Sequence, residues 1–253
     1  MKSWWSDLSS LWQFRDFAKL TATDADQRQE EVAASSLLET VQRPAAAQVF
    51  AQLYDNLVVK WQEHTVRLVT VCAATPGAGA STVALGLALA ACRDPHEKLL
   101  LVDGNFHQPT LSQLWNLEGR PGLAEYLLGL ADLGVVQPTP VGNLWMLANG
   151  GESRSHAKLL DPHLFDRNLS GLVDGFSLVI IDSPALSQHP EAPIYAHFSD
   201  RILLVVAAGR SRAPVVQHSI SRFPVGLRER LEVVLNRRTY PIPRFIYDKL
   251  WSY

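Results

Sequence analysis

Residues Ala74-Thr75-Pro76-Gly77-Ala78-Gly79-Ala80-Ser81-Thr82 carry the glycine spacing and the closing Ser-Thr pair of a phosphate-binding loop. In such a loop, backbone N–H groups and the start of a helix hold phosphate oxygens. The residue before the Ser-Thr pair is normally lysine, whose ammonium grips the β- and γ-phosphates; here it is Ala80. Pro76, Gly77, Ala78, Gly79, Ala80, Ser81 and Thr82 are the candidate nucleotide-binding residues. Two acids end apolar runs: Asp103 after Leu99-Leu100-Leu101-Val102, and Asp182 after Leu178-Val179-Ile180-Ile181. A lone acid at a strand end is often only a helix cap. Two of them beside a glycine loop form a set that can hold Mg2+ directly or through water. With the Ser81 hydroxyl, the candidate magnesium ligands are Ser81, Asp103 and Asp182. Asn105 stands where a further acid would help.

The elements that must position these residues are legible. The run Val66-Arg67-Leu68-Val69-Thr70-Val71-Cys72 is apolar and rich in β-branched residues and predicts a buried strand. Ser81 to Cys92, rich in alanine and leucine, predicts a buried helix. Strands are expected at Arg67–Cys72, Lys98–Asp103, Leu144–Leu147, Leu178–Asp182, Arg201–Ala207 and Leu231–Leu235. Helices between them include Ser81–Cys92, Gln108–Leu114, Leu123–Leu128, Pro162–Leu172 and Ala213–Phe223. Wholly apolar strands alternating with helices imply an α/β fold, a doubly wound, mostly parallel sheet covered on both faces; the glycine loop between strand and helix makes it P-loop NTPase-like. Ligands of such a sheet lie beyond the carboxyl ends of its strands, where all three candidate groups fall.

Upstream, Trp4, Trp5, Leu8, Leu11, Trp12 and Phe14 recur at near-helical spacing, so residues 1–20 read as an aromatic amphipathic segment. It can dock on protein, self or partner, or on a membrane surface, and the mixed charges between the aromatics favour protein. Residues 21–44 read as a polar linker with one helical stretch around Glu30 to Val41. Residues 45–253 form the domain, opening on an amphipathic helix with Val49, Phe50, Leu53, Leu57 and Trp61 on one face. A net charge of −2 argues against a nucleic-acid partner. No apolar run reaches the roughly 18–20 residues of a membrane span, and the start lacks a signal-peptide core. A cytoplasmic protein is expected, peripheral at the inner membrane at most, with Cys72 and Cys92 as reduced, buried thiols.

From about Ala47 onward, the chain resembles the cytoplasmic domain of the bacterial tyrosine kinases (BY-kinases) of polysaccharide assembly. These are relatives of the deviant-Walker ATPases that position septa and plasmids. The family's P-G-E-G-K-S-T loop corresponds to Pro76-Gly77-Ala78-Gly79-Ala80-Ser81-Thr82. Its D-x-D-L-R-x-P motif corresponds to Asp103-Gly104-Asn105-Phe106-His107-Gln108-Pro109, and its Walker B acid to Asp182. Gly119-Arg120-Pro121-Gly122-Leu123, Asn143-Leu144-Trp145 and Val234-Leu235-Asn236-Arg237 resemble further landmarks, and the resemblance places Asn236 near the nucleotide base.

The departures point one way. Lysine is Ala80, the second acid is Asn105, and the following arginine is His107. The family's ring-forming E-x-x-R-x-x-R falls on Gln48, Ala51 and Tyr54, and its tyrosine cluster shrinks to Tyr240, Tyr247 and Tyr253. A charge-assisted hydrogen bond lost from a phosphate site costs about 1.5–3 kcal/mol, roughly ten- to a hundredfold in affinity. A missing cation on the transferring phosphoryl group costs far more in rate, on the order of 10³–10⁵ for an arginine finger.

The resemblance therefore implies a catalytically impaired member with Asp103 and Asp182 as vestigial catalytic residues. ATP or ADP with Mg2+ would bind weakly or not at all. It would serve exopolysaccharide or capsule synthesis through an inner-membrane co-polymerase, synthase or kinase partner, as a monomer alone rather than a homo-octamer. The rival is a weakly active autokinase or ATPase using Ser81, Asp103, Asp182 and a substitute cation, Arg210 or Arg212, which otherwise read as surface arginines. A positioning ATPase is a third reading, weakened because those proteins carry the loop lysine.

Overall fold

The computed structural model describes residues 36–62, 65–151 and 161–238. The N-terminal aromatic segment (1–20) and the three C-terminal tyrosines lie outside them. Within them the strands are β1 Leu68–Ala73, β2 Leu99–Asp103, β3 Gln137–Pro138, β4 Leu144–Leu147, β5 Leu178–Asp182, β6 Arg201–Ala207 and β7 Leu231–Asn236. The helices are α1 Pro44–Trp61, α2 Ala80–Ala91, α3 Thr110–Leu114, α4 Leu123–Leu127, α5 Pro162–Asp174, α6 Glu191–Phe198, α7 Ala213–Ser221 and α8 Val225–Arg228.

The strands form one seven-stranded sheet in the order β3-β4-β2-β5-β1-β6-β7. Every pairing is parallel except the short β3–β4 pair. The four central strands β2, β5, β1 and β6 are buried almost end to end, which is why each reads as an unbroken apolar run.

Alternate strand residues serve opposite faces, as the two-residue strand period demands. Val69, Val71, Leu99, Leu101, Ile180, Leu203 and Val205 meet Val83, Ala84 and Leu87 of α2 on one face. On the other, Leu100, Val102, Val179 and Ile181 meet Leu123, Leu127, Phe165, Ile194 and Tyr195 of α4, α5 and α6. Full burial of each such side chain is worth about 1.5–3 kcal/mol.

Helix α1 lies across α2. Its inward residues are Phe50, Leu53, Tyr54, Leu57 and Trp61, which follow the helical period. Val49, expected on this face, is 60% exposed, because it falls one position outside that stripe. Gly86 makes the crossing possible: a Cβ there would come within 2.5 Å of the Phe50 ring. Of the three positions matching the ring-forming motif, Gln48 is exposed, while Ala51 and Tyr54 are partly buried. A helical stretch over residues 36–42 precedes α1, and its Val41 is buried in the main core. Cys72 is buried in β1 and Cys92 is half-buried just past α2; both are free thiols. Among the described residues, no helix is long and apolar enough to cross a membrane.

Candidate functional site

The phosphate loop runs from the end of β1 to the start of α2. Gly77 has φ 72° and Gly79 φ 96°, left-handed values that glycine adopts without steric cost. At Gly79 a second constraint applies: a Cβ would come within 2.3 Å of the Asn236 amide nitrogen. Asn236, the last residue of β7, donates from that nitrogen to the Ala78 carbonyl at 2.9 Å. It thus ties the loop to the far edge of the sheet. Among the described residues no side chain caps the N-terminus of α2, so its first N–H groups and its dipole remain directed at the loop. Ala80 is the first residue of α2, only 8% exposed, with its methyl group in the apolar core. Ser81 and Thr82 follow it, both partly exposed.

Asp103 and Asp182 are direct register partners on adjacent strands, at the carboxyl end of the sheet beside this loop. Both are fully buried, yet their surroundings differ. One oxygen of Asp103 accepts from the Ser112 amide and hydroxyl, each at 2.8 Å; the other accepts from the Asn105 amide at 3.2 Å. Burial pushes its pKa up to about 6, and the Ser112 bonds pull against that shift. Among the described residues, neither oxygen of Asp182 has a hydrogen-bond partner. Burial, then the Asp103 charge, hold its pKa well above the usual carboxylate range; the nearby Ser81 hydroxyl lowers it without closing a hydrogen bond of normal length.

The two acids are therefore not equivalent. Asp103 anchors the chain entering α3, whereas Asp182 is a buried, unpaired acceptor facing the loop, the kind of group a cation satisfies. A magnesium–nucleotide group fits these residues in part. The glycine cradle, the open start of α2, the Ser81 hydroxyl and the Asp182 oxygens suit phosphate and Mg2+, whose bound form would neutralise phosphate charge. Ala80 stands at the position of the loop lysine.

Gly104 has no room for a side chain, since a Cβ would lie 2.7 Å from the Asp182 carbonyl and 2.9 Å from the Tyr195 ring. Its amide donates to that carbonyl at 2.8 Å and its own carbonyl accepts from the Tyr195 hydroxyl at 2.9 Å. Asn105 does not face the acids: its side-chain oxygen accepts from the amides of His107 and Gln108 and shapes the turn. Arg210 and Arg212 are exposed, on a loop that touches the phosphate loop through Ser211 and Thr75, hydroxyl to hydroxyl at 3.4 Å. Tyr195 had no local signature because its partner lies 91 residues away, and Ser112, nine residues beyond Asp103, belongs to no recognisable motif.

No protein-family model matches the chain. A tyrosine-protein kinase, CpsD, of Streptococcus agalactiae is 27% identical over 190 residues, covering 74% of this chain and 81% of the relative. The tyrosine-protein kinase YwqD of Bacillus subtilis is 27% identical over 163 residues, 64% of this chain and 68% of the relative. The chain's homologues are bacterial tyrosine-protein kinases. Another relative is the succinoglycan biosynthesis transport protein ExoP of Rhizobium meliloti, 27% identical over 205 residues; the match spans 76% of this chain but 25% of that protein.

Solved structures place the fold. The kinase domain of the Escherichia coli tyrosine kinase ETK superposes with a TM-score of 0.68 at 22% identity, over 95% of this chain and 90% of that one. The chimerical protein CapA2B2 gives a TM-score of 0.71 at 22% identity, over 93% and 99%. The cell-division ATPase MinD of Pyrococcus furiosus gives 0.55 at 22% identity, over 73% and 78%. The fold is that of BY-kinase domains and MinD-like P-loop proteins.

Proposed function

We propose that this protein is a catalytically impaired relative of the bacterial tyrosine kinases that serves exopolysaccharide or capsule biosynthesis through protein partners. One observation carries the reading. The loop keeps its glycine conformation and its open helix start, while the position of the phosphate-gripping cation is an alanine methyl in the core. A site that retains shape and loses charge suits weak nucleotide sensing better than phosphoryl transfer. The kinship with kinases and with a succinoglycan biosynthesis transport protein supports the pathway. An inner-membrane co-polymerase, synthase or active kinase is the proposed partner, met at the cytoplasmic face. Incubated with ATP and Mg2+, the pure protein is expected to give no anti-phosphotyrosine signal. A signal that appears with ATP and is lost in Asp182→Ala would overturn the proposal.

A second reading, a weak autokinase or ATPase, draws on the Ser211–Thr75 contact, which brings the loop of Arg210 and Arg212 beside the phosphate loop. It predicts that Arg210→Ala or Arg212→Ala abolishes whatever turnover the protein has.

The assembly follows from α1. Gln48, Ala51 and Tyr54 offer none of the acid–arginine pairs that a charged ring interface needs on both sides. Light scattering on the pure protein is expected to report a monomer, and an octamer-sized species counts against that expectation. Deleting residues 1–20, with Trp4, Trp5, Leu8 and Trp12, is expected to weaken partner capture in pull-downs, because aromatic clusters dominate binding energy.

A further inference from the structure

His107, His189 and Glu191 meet beside the acid pair, and nothing in the kinase-like reading uses the three together. His107 lies in the turn after β2, His189 in the loop after β5, and Glu191 is the first residue of α6. One nitrogen from each imidazole and one carboxylate oxygen all lie within 4.8 Å of one another. The His107 Nε2 to Glu191 Oε1 distance is 2.7 Å, and the two imidazole rings stack at 3.6 Å between centroids with 16° between planes. Glu191 is 2% exposed, and its second oxygen, Oε2, is buried with no hydrogen-bond partner among the described residues. A buried carboxylate with an open acceptor costs stability unless something satisfies it.

The donor set decides what that something is. Arg222, the residue that ends α7, lies close enough to act electrostatically on both Glu191 and His189. The local charge is therefore nearly balanced, which disfavours a hard cation held by carboxylate charge alone, such as Ca2+ or Mg2+. Two imidazole lone pairs with one carboxylate suit a borderline-soft divalent ion, Zn2+ first.

We propose that His107, His189 and Glu191 form a zinc-type transition-metal site that pins the turn after β2 to the start of α6. Tetrahedral ligation at the usual bond lengths sets ligand atoms about 3.3 Å apart; the lone pairs of the stacked rings run in nearly parallel planes, so one imidazole must turn out of the stack for both to face the ion. Three protein ligands leave the fourth position open to water or an anionic oxygen. The site is independent of whether the phosphate loop binds nucleotide.

The test uses the full chain with any affinity tag removed, stripped with a chelator and titrated with zinc chloride at pH 7.5. Calorimetry and elemental analysis after dialysis are expected to give one zinc per chain. The thermal midpoint should climb with zinc concentration, as binding to the native state requires. Cobalt substitution should give the visible absorption of a four-coordinate ion. His189→Gln and Glu191→Gln should each weaken zinc binding by at least about tenfold, since loss of even an outer partner costs ten- to a hundredfold. His96→Gln and His218→Gln, on exposed residues elsewhere, should leave it unchanged. If buried Glu191→Gln fails to fold, the part-exposed His107→Gln decides in its place. Absence of stoichiometric uptake, or uptake unaltered in His189→Gln, overturns the proposal and leaves His107 and Glu191 as a plain ion pair.

Discussion

Replacing Ala80 with lysine is expected to tighten ATP binding about ten- to a hundredfold, the range a restored charge-assisted contact supplies. The rest of the loop is prepared for it. Gly77 and Gly79 hold their left-handed conformations, Asn236 clamps the Ala78 carbonyl, and no side chain competes with phosphate at the start of α2. The change places the new side chain at the first turn of a helix, where lysine costs little in propensity. Its stem must leave the core pocket that the Ala80 methyl occupies and run out over the loop. Calorimetry with Mg-ATP on both proteins measures the effect. Submicromolar affinity in the unmodified protein, or no gain from lysine, would show that the backbone cradle grips phosphate unaided. Tyrosine phosphorylation is not expected to return with affinity, because the acid of the second motif remains Asn105 and the tyrosine cluster remains sparse.

Different parts of the molecule were legible in the sequence to different degrees, for physical reasons. The bounds of β4, β5 and β6 could be read to the residue, because a strand buried on both faces is a continuous apolar run that stops where burial stops. Helix α6 was not delimited. It is eight residues long, opens on Pro190 and Pro193, which suit a first turn but mark no period, and packs on nearly every side, so no amphipathic period announces it. Strand β3 is two residues long and exists only as a partner of β4.

The site divides in the same way. The loop and its two acids were visible because strand, glycine turn and helix are contiguous in the chain. Local sequence ranks Asp103 and Asp182 as equals; Ser112, nine residues beyond Asp103, makes them unequal. The clamp from Asn236 to Ala78 spans 158 residues and the Glu191–His107 pair spans 84, so neither leaves a mark in any local window. Asn105 and His107 each stood out as departures from a motif, but their roles, shaping a turn and facing a buried glutamate, depend on where α6 lands.

Asp182→Asn is expected to stabilise the nucleotide-free protein at neutral and alkaline pH. The carboxylate it replaces is 1% exposed, has no hydrogen-bond partner on either oxygen among the described residues, and faces the charge of Asp103. Leaving such a group unpaired costs on the order of 1–3 kcal/mol. For a chain of this size, each kcal/mol recovered moves the thermal midpoint by about 2–4 °C. An amide in that place can donate to Asp103 instead of repelling it. The pH dependence has a definite sign. Folding raises the pKa of Asp103 from 3.8 to about 6, and raises that of Asp182 well above its ordinary value in the same direction. Between the unfolded and folded values the native state holds more protons than the unfolded chain, so stability falls as pH rises through that window. The stabilising contribution is complete below about pH 4 and declines through pH 6 and above. Thermal melts from pH 5 to 8.5 should therefore show a decline in the unmodified protein that flattens in Asp182→Asn. Saturating Mg-nucleotide should reverse the order, because a bound cation satisfies the carboxylate and not the amide. If the unmodified protein melts above Asp182→Asn at pH 8 without nucleotide, the carboxylate has a partner of its own and the cation-ready site is refuted.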